Sequence, residues 1–207
     1  MFIGRLCDDG NDLCRYSKGS AVNEESRMPT REQTIVSRVT ELVAADSVSS
    51  PDPTWDSSNR KVINHLSAYA ERDGWSVEIQ ELESGGDGKA NLIATLGNKE
   101  NTEDEPAGLV LSGHTDTVPF DAGGWNSDPM KLTERDGKLY GLGSTDMKGF
   151  FAVALEAASA FDPTKFKAPL YLLATADEES TMNGARSLSR AQLPFAKAAI
   201  VGEPTDL

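Results

Sequence analysis

GLVLSGHTDTVP, residues 108–119, is the stretch from which the fold is best approached. Its apolar run, closed by Ser112-Gly113, predicts a buried strand that ends in a loop. His114 and Asp116 follow with one residue between them, so in extended backbone their side chains share a face. A carboxylate beside an imidazole orients the ring and makes it more basic, as a metal ligand requires. The pattern also fits a strand ending in a polar turn that happens to contain a histidine.

The charge and composition of the chain exclude several classes of protein. Among 207 residues, Lys and Arg number 20 and Asp and Glu number 33, so the net charge is −13. That balance repels a phosphate backbone, so nucleic acid is not an expected partner. The apolar segments fall far short of the roughly 20 residues that span a bilayer, and the charged start lacks the apolar segment of a secretory signal. We therefore expect a cytoplasmic protein with a sizeable core and no membrane contact.

The first segment, residues 1–29, is expected to be a disordered extension, with Met28 as an alternative start. Both cysteines, Cys7 and Cys14, lie in this segment. Without a paired histidine they do not make a zinc site, and nothing in the sequence indicates the oxidising compartment that favours a disulfide.

Residues 30–207 alternate predicted helices and strands. Thr30 and Gln33 fit a capping box that begins the first helix, and Gly74 is a natural end for the second. Asp136-Gly137 is a hairpin signal. The helices are predicted at 30–45, 57–73, 147–161 and 183–191, and the strands at 76–82, 90–96, 109–114, 169–175 and 198–201. This order predicts an α/β fold of three layers, with a mixed, largely parallel sheet and helices on both faces.

Acidic residues stand at the ends of these elements. They are Glu178 and Glu179 after strand 169–175, Glu203 after strand 198–201, and Asp146 before helix 147–161. In such sheets ligands bind beyond the carboxyl ends of the strands, so we expect these carboxylates to meet His114 at one edge. They would repel one another without a counter-charge, which a pair of divalent metal ions supplies. The alternatives are a helix N-cap for Asp146 and a solvated loop for the acids after strand 169–175.

The adjacent glutamates Glu178 and Glu179 can have different roles. Consecutive residues point in different directions, so one can bind a metal ion while the other holds a water molecule. These ligand types suit zinc or a related divalent ion, and a bridging carboxylate lets two ions lie about 3.5–4 Å apart. A glutamate beside a water that a metal ion activates is a suitable general base, because the pKa of that water falls towards about 7.

Three parts of the chain resemble the M20 family of zinc-dependent amidohydrolases and peptidases. They are SGHTDTVPFDAGGWNSDP at 112–129, DGKLYGLGSTDMKGFFA at 136–152 with LYLLATADEES at 170–180, and IVGEPTDL at 200–207. The resemblance covers residues 30–207 and implies the N-terminal part of the metal-dependent catalytic domain. The Asp-Met-Lys-Gly context and the Phe-Asp after Val118-Pro119 are more similar to members that deacetylate N2-acetyl-L-ornithine, for arginine biosynthesis, than to members that desuccinylate succinyl-diaminopimelate. Another M20 aminoacylase or dipeptidase, or a non-catalytic fragment or decayed gene product, are the remaining alternatives.

The resemblance also implies roles for the candidate residues. His114, Asp146 and Glu203 would bind one metal ion, and Asp146 would bridge to a second ion held also by Glu179. Family members hold two Zn²⁺ ions per complete site, for which Co²⁺ substitutes. They act on small N-acyl amino acids, and the complete enzyme is expected to be a homodimer.

Asp116 and Glu178 would be the catalytic residues of this site. By resemblance, Asp116 would orient His114. Glu178 would take a proton from the attacking water and return it to the departing amine, so that the products are acetate and L-ornithine.

The chain departs from the family pattern after Glu203. In family members, the ligand set of the second metal ion is completed by a histidine far down the chain, beyond an inserted lid and dimerisation domain. This sequence has only His65 and His114, and His65 lies on a predicted helix without a match to the family ligand. We therefore expect an absent lid and dimerisation domain, at most one well-held metal ion, and little or no turnover by this chain alone.

Overall fold

The computed structural model describes residues 28–83, 88–97, 107–188 and 196–205. Residues 1–27 of the predicted extension, with both cysteines, lie outside the described residues. So do residues 189–191 of the helix predicted at 183–191, whose described part is helical over Asn183–Ser187.

Two helices come first in the described residues. α1 spans Arg31–Ala44, and its predicted capping box is confirmed by reciprocal hydrogen bonds between Thr30 and Gln33. α2 spans Arg60–Arg72 and begins later than predicted. Its N-cap is Asn59, whose carbonyl accepts the N–H of Ile63 at 3.1 Å, while the Asn59 side chain bonds to the backbone of Ala90 in the sheet at 2.8 and 3.0 Å.

In the parts of the chain that the structure describes, seven strands form one sheet and one hairpin. They are β1 Ser76–Glu81, β2 Ala90–Leu96, β3 Leu109–His114, β4 Thr133–Arg135, β5 Lys138–Tyr140, β6 Leu170–Thr175 and β7 Ala198–Val201. The sheet order is β1-β2-β6-β3-β7, antiparallel across β1–β2 and β2–β6 and parallel across β6–β3 and β3–β7. The predicted mixed sheet is confirmed. β4 and β5 form the predicted hairpin, and Asp136 and Gly137 both have the positive φ of its tight turn.

Helices lie on both faces of the sheet, as predicted. α1, α2 and α3 (Lys148–Ala158) bury one face in the main core, which includes Leu42, Ile63, Leu66, Leu92, Phe151, Leu155 and Leu172. Side chains alternate along β2, so Asn91 and Ile93 point to the other face. There Ile93 joins a smaller apolar cluster, and Asn91 Nδ2 donates to Gly184 O of α4 (Asn183–Ser187) at 2.8 Å.

The third helix is shorter than the predicted range 147–161. After Ala158, the N–H groups of Ala160 and Phe161 donate to carbonyls three residues back and tighten the chain into a turn.

Within the described ranges, no helix is both long enough and apolar enough to cross a membrane.

Candidate metal centre

His114 lies at the carboxyl end of β3, between β6 and β7, and its side chain is 1% exposed. Its Nε2 atom lies 3.1 Å from Asp146 Oδ1 and 3.5 Å from Glu203 Oε1. Its Nδ1 atom lies 3.0 Å from the main-chain carbonyl oxygen of Asp116. Because a carbonyl oxygen only accepts, this contact favours a hydrogen on Nδ1 and leaves the Nε2 lone pair for a metal ion.

Asp116 supports the site through two different groups. The contact with His114 is made by its backbone carbonyl, whereas its carboxylate Oδ1 lies 3.6 Å from His114 Nδ1. That carboxylate instead accepts the backbone N–H groups of Glu178 at 3.2 Å and Glu179 at 3.0 Å. Asp116 therefore joins His114 to the turn that carries both glutamates.

Asp146 reaches the site from the loop between β5 and α3. The N-cap of α3 is Met147, which makes no side-chain cap bond, so the alternative role of Asp146 as N-cap is not observed. Met147 is fully buried against Gly113, where an added Cβ would lie only 2.4 Å from Met147 Cε. The glycine thus lets the start of α3 approach β3, which brings Asp146 over His114.

The approach of Glu203 also depends on a glycine. The Gly202 N–H donates to Ser112 O at 3.1 Å, which continues the pairing of β7 with β3 beyond the end of the strand. A Cβ on Gly202 would lie 2.2 Å from the ring of Phe150. Because the backbone can pass this close to α3, Glu203 arrives beside His114 and remains partly exposed.

The six predicted site residues come together at this edge of the sheet. Within the described part of the chain, two groups could hold a metal ion, and in each the ligand atoms lie within 4.8 Å of one another. They are His114, Asp146 and Glu179, and His114, Glu178 and Glu203. The resemblance divided the ligands differently, since it placed Asp146 and Glu203 on one ion and kept Glu178 as a base. The combination of imidazole nitrogen and carboxylate oxygen fits a divalent metal ion.

The electrostatics of the cluster favour a bound cation. Burial raises the pKa of Glu179 and of Glu203, and nearby carboxylates add to the effect while His114 opposes it. Burial lowers the pKa of His114, but the carboxylates of Asp116, Glu203, Glu179 and Asp146 outweigh burial and raise it. Burial also raises the pKa of Asp116, against its hydrogen bonds and His114. Neighbouring carboxylates repel one another when they are ionised, and a metal ion bound among them would offset that repulsion.

Comparison with known proteins decides the family. Residues 110–207 match peptidase family M20/M25/M40. The chain is 49% identical over 167 residues to an acetylornithine deacetylase of Vibrio atlanticus. The aligned region covers 80% of this chain and 42% of the relative. This chain belongs to the M20 family. A Proteus mirabilis acetylornithine deacetylase is 47% identical over 174 residues, or 84% of the M20 chain and 43% of the relative. The M20 chain therefore spans less than half the length of these relatives.

Solved structures share the fold of the M20 chain. Human carnosine dipeptidase 1 superposes with a TM-score of 0.64 at 24% identity, over 83% of this chain and 38% of that one. The dipeptidase Dug1p of Saccharomyces cerevisiae gives a TM-score of 0.60 at 18% identity, over 82% and 38%. At these identities the likeness concerns the fold alone, and it supports the α/β architecture described above.

A cleft of about 670 Å³ opens beside the candidate metal ligands of the M20 chain. Asp146 and Glu179 form part of its wall, and β5 with the following loop forms most of the rest. Trp125 and Tyr140 contribute aromatic surface. A cleft of this size accommodates a ligand of amino-acid dimensions next to the cluster.

Sequence reasoning missed a buried ion pair beneath the glutamates of the M20 chain. Lys89 contacts Asp177, and the side chains of both are 4% exposed. Asp177 was visible as the first residue of the acidic triplet, and Lys89 as a charge next to an apolar strand. Neither signal shows that the two residues meet. His65, by contrast, lies as predicted on α2, where its Nδ1 is 3.3 Å from Glu41 and outside both candidate groups.

Proposed function

We propose that this chain is the N-terminal part of a metal-dependent amide hydrolase that removes the acetyl group from N2-acetyl-L-ornithine. The products are L-ornithine and acetate, and the reaction serves arginine biosynthesis. The observation that carries the proposal is the convergence of Asp146 and Glu203 on His114 Nε2, at 3.1 and 3.5 Å, with two further glutamates beside them. The substrate is supported by relatives named acetylornithine deacetylase that are 47–50% identical to this chain.

The proposed metal is zinc, with cobalt as a functional substitute. His114, Asp146 and Glu203 would hold one ion, and Asp146 and Glu179 would contribute to a second. When bound, the metal pair supplies a Lewis acid for the amide carbonyl and lowers the pKa of a water molecule. Because the second ion finds only two of these ligands in the described residues, we propose at most one well-held ion in this chain.

Glu178 is the proposed general base. Its backbone is held by Asp116 beside the ligand cluster. Its carboxylate takes one proton from water as the water oxygen attacks the acetyl carbonyl. It then gives that proton to the amine nitrogen as the C–N bond breaks, so one water and one amide become one carboxylic acid and one amine.

The substrate is tested in a chimera, because this chain spans 42% of its relatives. Residues 30–205 replace the corresponding part of the Vibrio atlanticus relative, and hydrolysis rates are compared for N-acetylornithine, succinyl-diaminopimelate, other N-acyl amino acids and dipeptides. We expect the highest kcat/KM with N-acetylornithine. A preference for another substrate refutes the assignment within the family and leaves the reaction class intact.

The role of Glu178 is tested in the same chimera. Glu178→Gln keeps the size of the side chain and removes the base, so we expect kcat to fall by about 10²–10⁴-fold. Glu78→Gln, on the exposed surface of β1, is the matched control and should leave kcat unchanged. A Glu178→Gln chimera with normal kcat would show that another group moves the proton.

Metal binding is tested in the 207-residue chain itself by titration with Co²⁺ and visible absorption. We expect weak binding of one ion, lost in His114→Ala and kept in His65→Ala, which removes the other histidine. Equal binding by the two variants would contradict the proposed centre. The chain alone is the candidate non-catalytic fragment, so measurable hydrolysis of N-acetylornithine by it would refute our expectation of little or no turnover.

The complete protein is proposed to be a cytoplasmic homodimer that acts on small molecules. Light scattering of the chimera tests the dimer, and cell fractionation tests the location. A monomeric chimera with full activity would contradict the dimer without affecting the metal centre.

A further inference from the structure

Lys89 lies outside the metal-binding groups but is joined to them by a buried network. Its ammonium group contacts Asp177 Oδ1 and lies 2.6 Å from Asp56 Oδ1. The hydroxyl of Ser49 donates to the same Asp177 oxygen at 2.9 Å. The network therefore connects the segment after α1, the residue before β2 and the turn after β6.

Asp177 begins the turn that carries Glu178 and Glu179. Its φ of +58° is in the left-handed region, which costs free energy for a residue with a side chain. The N–H groups of Thr181 and Met182 donate to its carbonyl at 3.2 and 2.6 Å, which closes the turn from the other side. A shift of Asp177 would therefore change the direction of both glutamates.

Two buried carboxylates hold this turn from opposite sides. Asp116 accepts the N–H groups of Glu178 and Glu179, while the side chain of Asp177 is held by Lys89 and Ser49. Of these two anchors, the one at Asp116 is part of the metal centre. The anchor at Asp177 depends on a cation 88 residues away in the chain, whose ion pairs in the described residues are with Asp56 and Asp177.

We propose that Lys89 is a positioning residue, which through Asp177 holds Glu178 and Glu179 in the orientation that binds a metal ion and the attacking water. This inference rests on the proposed function. Groups that orient metal ligands typically change metal affinity by about 10–100-fold when they are removed. A purely structural ion pair would change the stability of the fold and leave the metal affinity of the folded chain unaltered.

The test compares Co²⁺ binding by the 207-residue chain and two variants. Lys89→Met removes the cation, and the double variant Lys89→Met/Asp177→Asn also removes the buried charge that would otherwise stay unpaired. Circular dichroism establishes that each variant is folded at the temperature of the titration. We expect both to bind Co²⁺ about tenfold more weakly or worse, with altered visible absorption bands.

Arg38→Met is the matched control. Arg38 is as buried as Lys89 and forms an ion pair with Asp73 at 2.7 Å, between α1 and the end of α2. Its other contacts, with Glu156 and Tyr69, involve no candidate ligand. We expect Arg38→Met to lower the free energy of unfolding and to keep the Co²⁺ affinity of the parent chain.

The outcomes separate this inference from the proposed function. Parent-like Co²⁺ affinity in the folded Lys89 variants, or an equal loss in Arg38→Met, overturns the positioning role alone. Failure of both Lys89 variants to fold also overturns it, in favour of a structural role. If the parent chain binds no Co²⁺, the proposed metal centre and the positioning role are both overturned.

Discussion

In the described part of the chain, Lys89 and Lys148 are both buried, but in regions with different surroundings. Lys89, under the turn that follows β6, lies between the carboxylates of Asp56 and Asp177. Lys148, in the first turn of α3, donates instead to the carbonyl oxygen of Ala45 at 2.9 Å, with the Ser47 hydroxyl at 3.4 Å.

The two lysines differ in the direction of their pKa shifts. Burial lowers the pKa of Lys89, but its hydrogen bonds with Asp177 and Asp56 outweigh burial and raise it above the ordinary value. Burial lowers the pKa of Lys148 to about 8, because the charges of Asp46 and Asp116 offset it only in part. Two carboxylate partners therefore outweigh burial at Lys89, whereas the carbonyl and hydroxyl partners of Lys148 leave the effect of burial dominant.

The largest expected effect is the difference in stability between Lys89→Met and Lys148→Met. Lys89→Met leaves Asp177 buried without its cation, so we expect the free energy of unfolding to fall by about 3–5 kcal/mol. Lys148→Met removes a costly buried charge together with its hydrogen bonds, so the change should be about 1 kcal/mol. Urea denaturation of the 207-residue chain at pH 7 measures both. Equal losses of unfolding free energy in the two variants would contradict the difference between the two lysines.

The pH dependence of stability sharpens the comparison. Lys148 has a folded pKa of about 8, below its ordinary 10.5. Between these values the unfolded chain binds more protons, so stability should rise with pH, by about 3 kcal/mol in all. Lys89 has a raised folded pKa, so its contribution is present below 10.5 and is lost only at higher pH.

The measurement for this second prediction is urea denaturation in steps from pH 7 to pH 10. Lys148→Met should remove the rise in stability, whereas Lys89→Met should keep it. An unchanged slope in Lys148→Met would mean that Lys148 does not change its protonation on unfolding in this range.

The smallest expected effect concerns the serine partners of the two lysine regions. Ser49 donates to the charged Asp177 at 2.9 Å, so Ser49→Ala should cost about 1.5 kcal/mol. The contact of Ser47 with Lys148 is long, at 3.4 Å, so Ser47→Ala should cost less than about 1 kcal/mol. Thermal or urea denaturation of the two variants decides the order, and a larger loss for Ser47→Ala would contradict it.

Local signals predicted much of the fold. The capping box at Thr30, the turn at Asp136-Gly137 and the end of α2 before Gly74 all appear where their sequences placed them. These signals involve residues within a few positions of one another, so neighbouring layers do not alter them. Asn59 shows the limit, because local signals did not indicate that it is the N-cap of α2 and that its side chain bonds to Ala90 in the sheet.

The candidate site was predictable to a similar extent. Strand ends and spacing pointed to the six residues that the structure brings to one edge. They did not show that the carbonyl of Asp116, and not its carboxylate, accepts the hydrogen bond from His114 Nδ1. Every residue has a carbonyl group, so no residue type reports such a contact.

The amino-acid sequence by itself determined where the strands end and that each of three strands is followed by a histidine or an acid. Periodicity and turn chemistry act over a few residues, and they are written in the chain. Only the tertiary structure decided that β6, β3 and β7 are neighbours, so that those ends meet. It also decided that Lys89 meets Asp177 across 88 residues, because such a contact depends on how the packed layers bring distant segments together.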